Sequence, residues 1–355
     1  MVDIGIDKIQ LYNFGVRLID LKYLNLMAKE CDDINIISNN GTRGLKIEIY
    51  SKKYFSKLVI GQKRHSKGGG LYVNLTLSPS NVYGDNLKNM SWSAYDDLLP
   101  KILDYIKEIY RIWLDSSRIK VKTIEINGNI TLKEKYEVYV RVARLLMSLL
   151  PIKCAPMQEV DSGSTLMRKN GSIAVSIYNK SKQLKRKKRK KSEEEPESER
   201  DIMRIEIRLL NPQKVIEAFG DNYWSALSDE IITEYMCWYM SENMGAKYLK
   251  WHDDQEKKLI KMIVRKRRQH KSRWQNMLML QVRNESERLG VPYILDVEQV
   301  CDALKKMPDP HGNRARTCKS LCKKKVDNDL YHNNDRAKAW EIMDAFSKPS
   351  DSNSI

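Results

Sequence analysis

Two short stretches near the middle of the chain alternate in character at every residue, and a chain holding such stretches builds a sheet. Ile173, Val175 and Ile177 alternate with Ala174, Ser176 and Tyr178, and Ile205, Ile207 and Leu209 alternate with Arg204, Glu206 and Arg208. A period of two sends successive side chains to opposite faces, so each strand carries one apolar and one polar face. If the two are neighbours in one sheet, Tyr178 and Glu206 project from the same polar face. Between them stand seven consecutive basic residues, Lys185 to Lys191, followed by Glu193, Glu194, Glu195, Glu197 and Glu199. This charge block reads as a loop outside the sheet, either a flexible insertion whose halves partly neutralise each other or a polybasic tether for phosphates.

The flanking sequence repeats one order of elements. The first half predicts a strand at Asp7 to Leu11, a helix at Leu21 to Lys29 capped by Asp20, and a strand at Ile34 to Ser38. Two further strands fall between Leu45 and Gly61, a glycine-rich basic loop runs to Gly70, and a strand spans Leu71 to Leu77. An amphipathic helix from Ser91 to Asp115 follows, with Leu98, Ile102, Tyr105, Ile106, Ile109 and Trp113 at helical spacing and Pro100 kinking or dividing it. The second half predicts a strand at Ile119 to Asn127, a turn at Gly128, a helix at Leu132 to Leu150, a strand near Ile152 to Val160, and then the two alternating strands. Both halves read as strand, helix and strands, and Ile49-Tyr50-Ser51-Lys52 echoes Ile177-Tyr178-Asn179-Lys180, so an internal duplication is expected. Gln10 stands where the second half has Glu125, and no acid matches Glu206, which leaves the carboxylates to the second half.

Beyond Pro212 the apolar period becomes helical, at Pro212 to Phe219, Trp224 to Asn243, Glu256 to Leu289, Asp296 to Lys306 and Asp335 to Phe346. The expected fold is therefore α+β: two similar antiparallel-sheet halves with helices packed on one side, then a helical C-terminal region. As units these are residues 1–118, a non-catalytic half; 119–220, a catalytic half with a basic insertion at 183–200; 221–348, a helical DNA-binding region; and a disordered tail at 349–355.

Charge narrows the partner. Sixty-three Lys and Arg against 46 Asp and Glu leave a formal charge of +17, which favours a polyanion, and nucleic acid over an anionic membrane because no basic amphipathic anchor sits at either end. No apolar run approaches the roughly eighteen residues of a membrane span, so a cytoplasmic location is expected. The cysteines at 31, 154, 237, 301, 318 and 322 read as reduced thiols, since the spacing of Cys318 and Cys322 with His311 and His332 matches no zinc pattern.

Glu125 and Glu206 are each one acid amid apolar strand neighbours, and hard divalent ions take carboxylate oxygens together with phosphate oxygens and water. The alternative is that each acid is paired with Arg204, Arg208 or Lys122 on a solvated face. A tyrosine hydroxyl beside such a cation, with Lys180 and Lys182 following at the parity of Tyr178, is suited to attack on a phosphate. The basic helix with Arg265, Arg267, Arg268 and Lys271 is suited to duplex phosphates, its Leu259, Ile260, Met262 and Ile263 docking it on the protein.

The segments TIEINGNI, SGSTLMRKNGSIAVSIYNKSKQL and MRIEIRLLNP resemble those of rolling-circle replication initiators, the gene II/X proteins of filamentous-type phages and the Rep-trans initiators of plasmids. The resemblance covers roughly Lys120 to Gly220. It implies metal-dependent, site-specific DNA nicking and strand transfer, with Tyr178 the nucleophile that leaves a 5′-phosphotyrosine and a free 3′-hydroxyl. It further implies Glu125 and Glu206 as ligands of Mg²⁺ or Mn²⁺ and Lys180 as support for the phosphate. The partner would be origin DNA of a phage, plasmid or mobile element, single-stranded at the nick with flanking duplex held by Lys182, Arg204, Arg208 and the basic helix. A host helicase and a second copy of the chain are further candidate partners. Two rival readings are a conjugative relaxase or transposase of the same chemistry, and a non-catalytic sequence-specific DNA-binding protein.

Overall fold

The computed structural model describes residues 2–39, 44–51, 53–62, 71–78, 89–152, 156–160, 164–189, 200–270, 301, 304–306, 316 and 335–347. The first half supplies β1 (Asp3–Tyr12), β2 (Gly15–Ile19), α1 (Leu21–Glu30), β3 (Ile34–Asn39), β4 (Gly44–Tyr50), β5 (Lys57–Gln62), β6 (Leu71–Leu77), α2 (Trp92–Tyr110) and β7 (Ile112–Asp115). The second supplies β8 (Lys120–Thr131), α3 (Val140–Leu149), β9 (Gln158–Val160), β10 (Thr165–Lys169), β11 (Ile173–Asn179), α4 (Lys180–Arg189) and β12 (Ile202–Leu209). Then come α5 (Pro212–Phe219), α6 (Asp229–Tyr239), a π-helical turn (Met240–Gly245), α7 (Ala246–His270) and α8 (Asp335–Ala345).

Ten strands form one antiparallel sheet in the order β3-β4-β5-β6-β1-β8-β12-β11-β10-β9, and β2 pairs with β7 in a separate ribbon. From either edge inward the order is the same: β3, β4, β5, β6, β1 on one side and β9, β10, β11, β12, β8 on the other. The fold is thus two similar halves meeting at β1 and β8, as the repeated element order predicts. The proposed equivalence of Ile49-Tyr50 with Ile177-Tyr178 is corrected by this order. Tyr50 ends β4, whose counterpart is β10, whereas Tyr178 lies on β11, the counterpart of β5.

One face of the sheet is apolar and carries the core. Ile9, Leu11, Ile124, Ile126, Ile205 and Ile207 are all buried there, and burying each such side chain contributes about 1.5–3 kcal/mol. Helices α5 and α6 pack on β8 beside it, and α3 packs on β10. Ser91 caps α2 through its hydroxyl, which accepts from Ala94 N at 3.1 Å. Asp229, at the start of α6, accepts from the Trp92 and Ser93 amides and so ties the two helices together. Pro100 stays inside α2, which ends where Arg111 turns left-handed at φ 51°. The expected helix to Asp115 is therefore shorter, and Trp113 belongs to β7, paired with Leu18.

Gly128 is not a turn. It lies within β8, paired with Ile4 on one side and Ile205 on the other, and a Cβ there would come 2.7 Å from the Phe346 ring. Glycine lets the chain just after α8 approach the centre of the sheet. The stretch after β11 is also corrected: the Asn179 carboxamide accepts from Lys182 N at 2.9 Å and opens α4, so the basic run starts as a helix rather than a loop. The glycine-rich stretch 63–70, the acidic part of the charge block, Cys154, Cys318, Cys322, His311 and His332, and the tail lie outside the described residues. So does the chain beyond His270 in the long basic helix, with Lys271. Among the described residues no helix is long and apolar enough to cross a membrane.

A tyrosine and three carboxylates on the polar face

The second half sets its polar face by register. Arg208 stands opposite Glu125 and Glu206 opposite Asn127 across β12 and β8, while Ser176 stands opposite Glu206 and Tyr178 opposite Arg204 across β11 and β12. The alternation that defines the strands thus brings Tyr178 and both glutamates to one side. The Tyr178 hydroxyl donates to Glu206 Oε1 at 2.5 Å. Arg208 spans the two acids, with Nη2 2.7 Å from Glu206 Oε2 and Nε 3.2 Å from Glu125 Oε1.

A third acid comes from the first half, where none was expected. Ile6 pairs with Ile126 and Lys8 with Glu125, so Asp7 is an extra residue bulged out of β1. The bulge lets Ile6 and Ile9, three residues apart, both enter the core, and it turns Asp7 toward Glu125. Carboxylate oxygens of Asp7, Glu125 and Glu206 lie within 4.8 Å of one another. The carboxylates are therefore not confined to the second half; the signal the sequence carries is the switch of apolar parity from Ile4 and Ile6 to Ile9 and Leu11 across Asp7 and Lys8, which the bulge accommodates.

The site is deep but polar. Tyr178 is 6% exposed and Glu206 2%, while Asp7 and Arg208 reach solvent with side chains 33% and 35% exposed. Crowding of acids in a buried place has its usual consequence. Burial, then Glu206 and to a lesser degree Asp7, push the Glu125 carboxyl up to about 7, against the pull of Arg208. Burial and the neighbouring Glu206 also raise the Tyr178 hydroxyl well above its ordinary value, so it is a phenol that must hand over its proton to react.

The other candidate residues divide. Lys180 is buried at the first turn of α4, donates to Gln183 Oε1 at 3.2 Å, and holds its ammonium 6.0 Å from the centre of the Tyr178 ring. The strand parity expected for Lys180 and Lys182 fails because β11 ends at Asn179; Lys182 is exposed on α4. Arg204 is 1% exposed. Its guanidinium donates to Asn129 Oδ1 at 2.7 Å and Asn89 Oδ1 at 3.1 Å and lies 3.9 Å from Asp7, inside the protein rather than where DNA would run. Along α7, Met262 and Ile263 are buried while Lys257, Lys258, Lys261, Arg265 and Arg268 are exposed, which is the docked basic helix the sequence predicts; the Arg267 side chain lies outside the described set. A separate hollow of about 480 Å³ at the helical end, lined by Trp238, Leu249, Trp340, Glu242 and Asp344, carries no basic side chain.

Three carboxylates converging from three strands suit a hard divalent cation, which prefers oxygen donors. Repulsion among the acids, relieved in part by Arg208 between the two glutamates and by Arg204 near Asp7, is what such a cation would remove. No family model matches this chain, and no curated protein matches it.

Proposed function

We propose that the chain is a divalent-cation-dependent DNA nicking and strand-transfer enzyme acting through Tyr178, and that it initiates rolling-circle replication of a phage, plasmid or mobile element. The observation that carries the reading is the 2.5 Å contact of Tyr178 with Glu206 on the face where Asp7 and Glu125 converge. Tyr178 Oη attacks the phosphorus of a phosphodiester while its proton passes to Glu206 Oε1. The bond from phosphorus to the 3′-oxygen breaks, that oxygen takes a proton from solvent, and the 5′-phosphate remains esterified to Tyr178. Asp7, Glu125 and Glu206 would hold a divalent cation, which would supply neutralisation of charge developing on the nonbridging oxygens. Arg208, at the solvent rim, meets the phosphate, and Lys180 beside the ring lowers the cost of the phenolate. The exposed basic side chains of α7 hold flanking duplex through its phosphates.

The pairing of Arg208 with both glutamates favours one rival, a DNA-binding protein whose acids are only structural. Supercoiled DNA from the region surrounding the gene, incubated with the full-length protein and Mn²⁺, separates the two. The enzyme converts it to open circles, and Tyr178→Phe or a chelator lowers the rate by about 1,000-fold or more, since a missing nucleophile removes the covalent route. DNA that is bound but never nicked by the wild type refutes the proposal.

A further inference from the structure

Asn127 is buried beside the carboxylates with both ends of its amide unbonded, and this points to a role in the same centre; the inference rests on the reading of the acids as a cation site. It lies in β8 two residues from Glu125, with Glu206 opposite on one neighbouring strand and Gly5 opposite on the other. Its relative exposure is 0%. Neither Oδ1 nor Nδ2 has a hydrogen-bond partner among the described residues. A buried amide group left unbonded costs about 1–3 kcal/mol, and in native folds such a group is commonly met by an ordered water or an ion.

Its surroundings sharpen the point. Asn129, the next residue on this face, uses both ends: Oδ1 accepts from Arg204 Nε at 2.7 Å and Nδ2 donates to Asp3 Oδ2 at 3.2 Å. Gly5 offers no side chain, and Asn89 and Met90 cross over it, leaving no room for a Cβ. Asn127 is thereby closed in on the acid side of the sheet. An apolar residue of equal volume would fill that place without the penalty. A neutral side chain there adds no further charge to the three carboxylates already gathered beside it.

We propose that Asn127 supplies the fourth oxygen of the cation site, its Oδ1 joining Asp7, Glu125 and Glu206 as a neutral donor. Carbonyl oxygens of asparagine serve hard cations in this way, adding a ligand without adding charge.

The test is Mn²⁺ affinity of the full-length protein, read as free Mn²⁺ by electron paramagnetic resonance, with the metal-free melting temperature as control. Asn127→Leu is expected to weaken Mn²⁺ binding by about 10-fold or more while melting at or above the wild-type temperature, because the unbonded amide is gone. Asn127→Asp keeps an oxygen in place and is expected to keep the binding. Wild-type affinity in Asn127→Leu overturns the proposal, and so does loss of binding in Asn127→Asp. An Asn127→Leu protein that does not melt cooperatively leaves the decision to Asn127→Asp. If the wild type takes up no Mn²⁺, the proposal falls together with the cation reading, whereas a wild type that binds alongside an indifferent Asn127→Leu removes the proposal alone.

Discussion

The two halves of the sheet share one strand order and opposite electrostatics. With Gln10 set against Glu125, the ladders match Thr76 to Arg208, Asn74 to Glu206 and Tyr72 to Arg204, and one strand further out Gly61 to Tyr178. Each of these five charged or reactive positions of the second half is neutral in the first, and a side chain at Gly61 would strike the Tyr72 ring. Glu48, an acid of the first half that stays outside the cluster, is fully satisfied. Lys46 at 2.8 Å, Lys57 at 2.9 Å and the Tyr50 hydroxyl at 3.1 Å surround it, and hydrogen bonds from Lys46 and then Lys57 draw its carboxyl down to about 2. In the second half, burial and neighbouring acids drive Glu125 the other way, to about 7. One scaffold therefore holds an acid arranged to stay ionised and paired, and a cluster arranged to be relieved by something else. Raised acids of this kind mark where a functional site is to be sought, and the lowered Glu48 has the features of a paired structural acid.

The two halves should differ most in their affinity for a cation. Asp7→Asn should weaken Mn²⁺ binding by about 10- to 100-fold, whereas Glu48→Gln should leave it unchanged. Equal effects would mean that Mn²⁺ binds acidic surface at large. Asp7 is the sharper choice because it belongs to the first half by sequence and to the second half's site by the bulge.

Protonation gives the next test. The folded Glu125 keeps its proton up to about 7 against an ordinary 4.5, so its contribution to stability is complete below the ordinary value and is lost as pH rises through about 7. Cation binding must expel that proton, so calorimetry in buffers of different ionisation enthalpy should find about one proton released per Mn²⁺ near pH 6 and almost none near pH 8.5. Glu125→Gln should abolish the difference.

Glu48 behaves in the reverse sense and supplies the smallest effect. Its lowered carboxyl stabilises the fold above 4.5, and that contribution disappears as pH falls toward 2. With its lysine partners partly exposed, Glu48→Gln should cost about 1 kcal/mol at neutral pH. Urea titration should find the two proteins converging in acid.

Much of this was legible in the residues because alternation transmits directly into faces. Ile173 to Asn179 and Arg204 to Leu209 are regular ladders, so counting by twos puts Tyr178 and Glu206 side by side. The count fails where the backbone departs from the ladder. Asp7 sits on a bulge, and one inserted residue reverses parity for everything before it. Lys180 was misplaced because Asn179 both ends β11 and caps α4, and an asparagine within a polar run does not announce which role prevails. Arg204 looked like a surface cation, yet its partners Asn89 and Asn129 come from chain 115 and 75 residues away. Gly128 resembled a turn because its reason, the Phe346 ring, lies more than two hundred residues further on.

On the proposed reading the hydroxyl that attacks DNA is that of Tyr178. The direct measurement is peptide mapping after reaction of the protein, Mn²⁺ and single-stranded DNA from the nicked region, with mass spectrometry locating the covalent nucleotide. The expected result is a 5′-phosphate ester on Tyr178, absent from Tyr178→Phe and undiminished in Tyr50→Phe. An adduct on Tyr50, or an adduct that persists in Tyr178→Phe, would contradict the account.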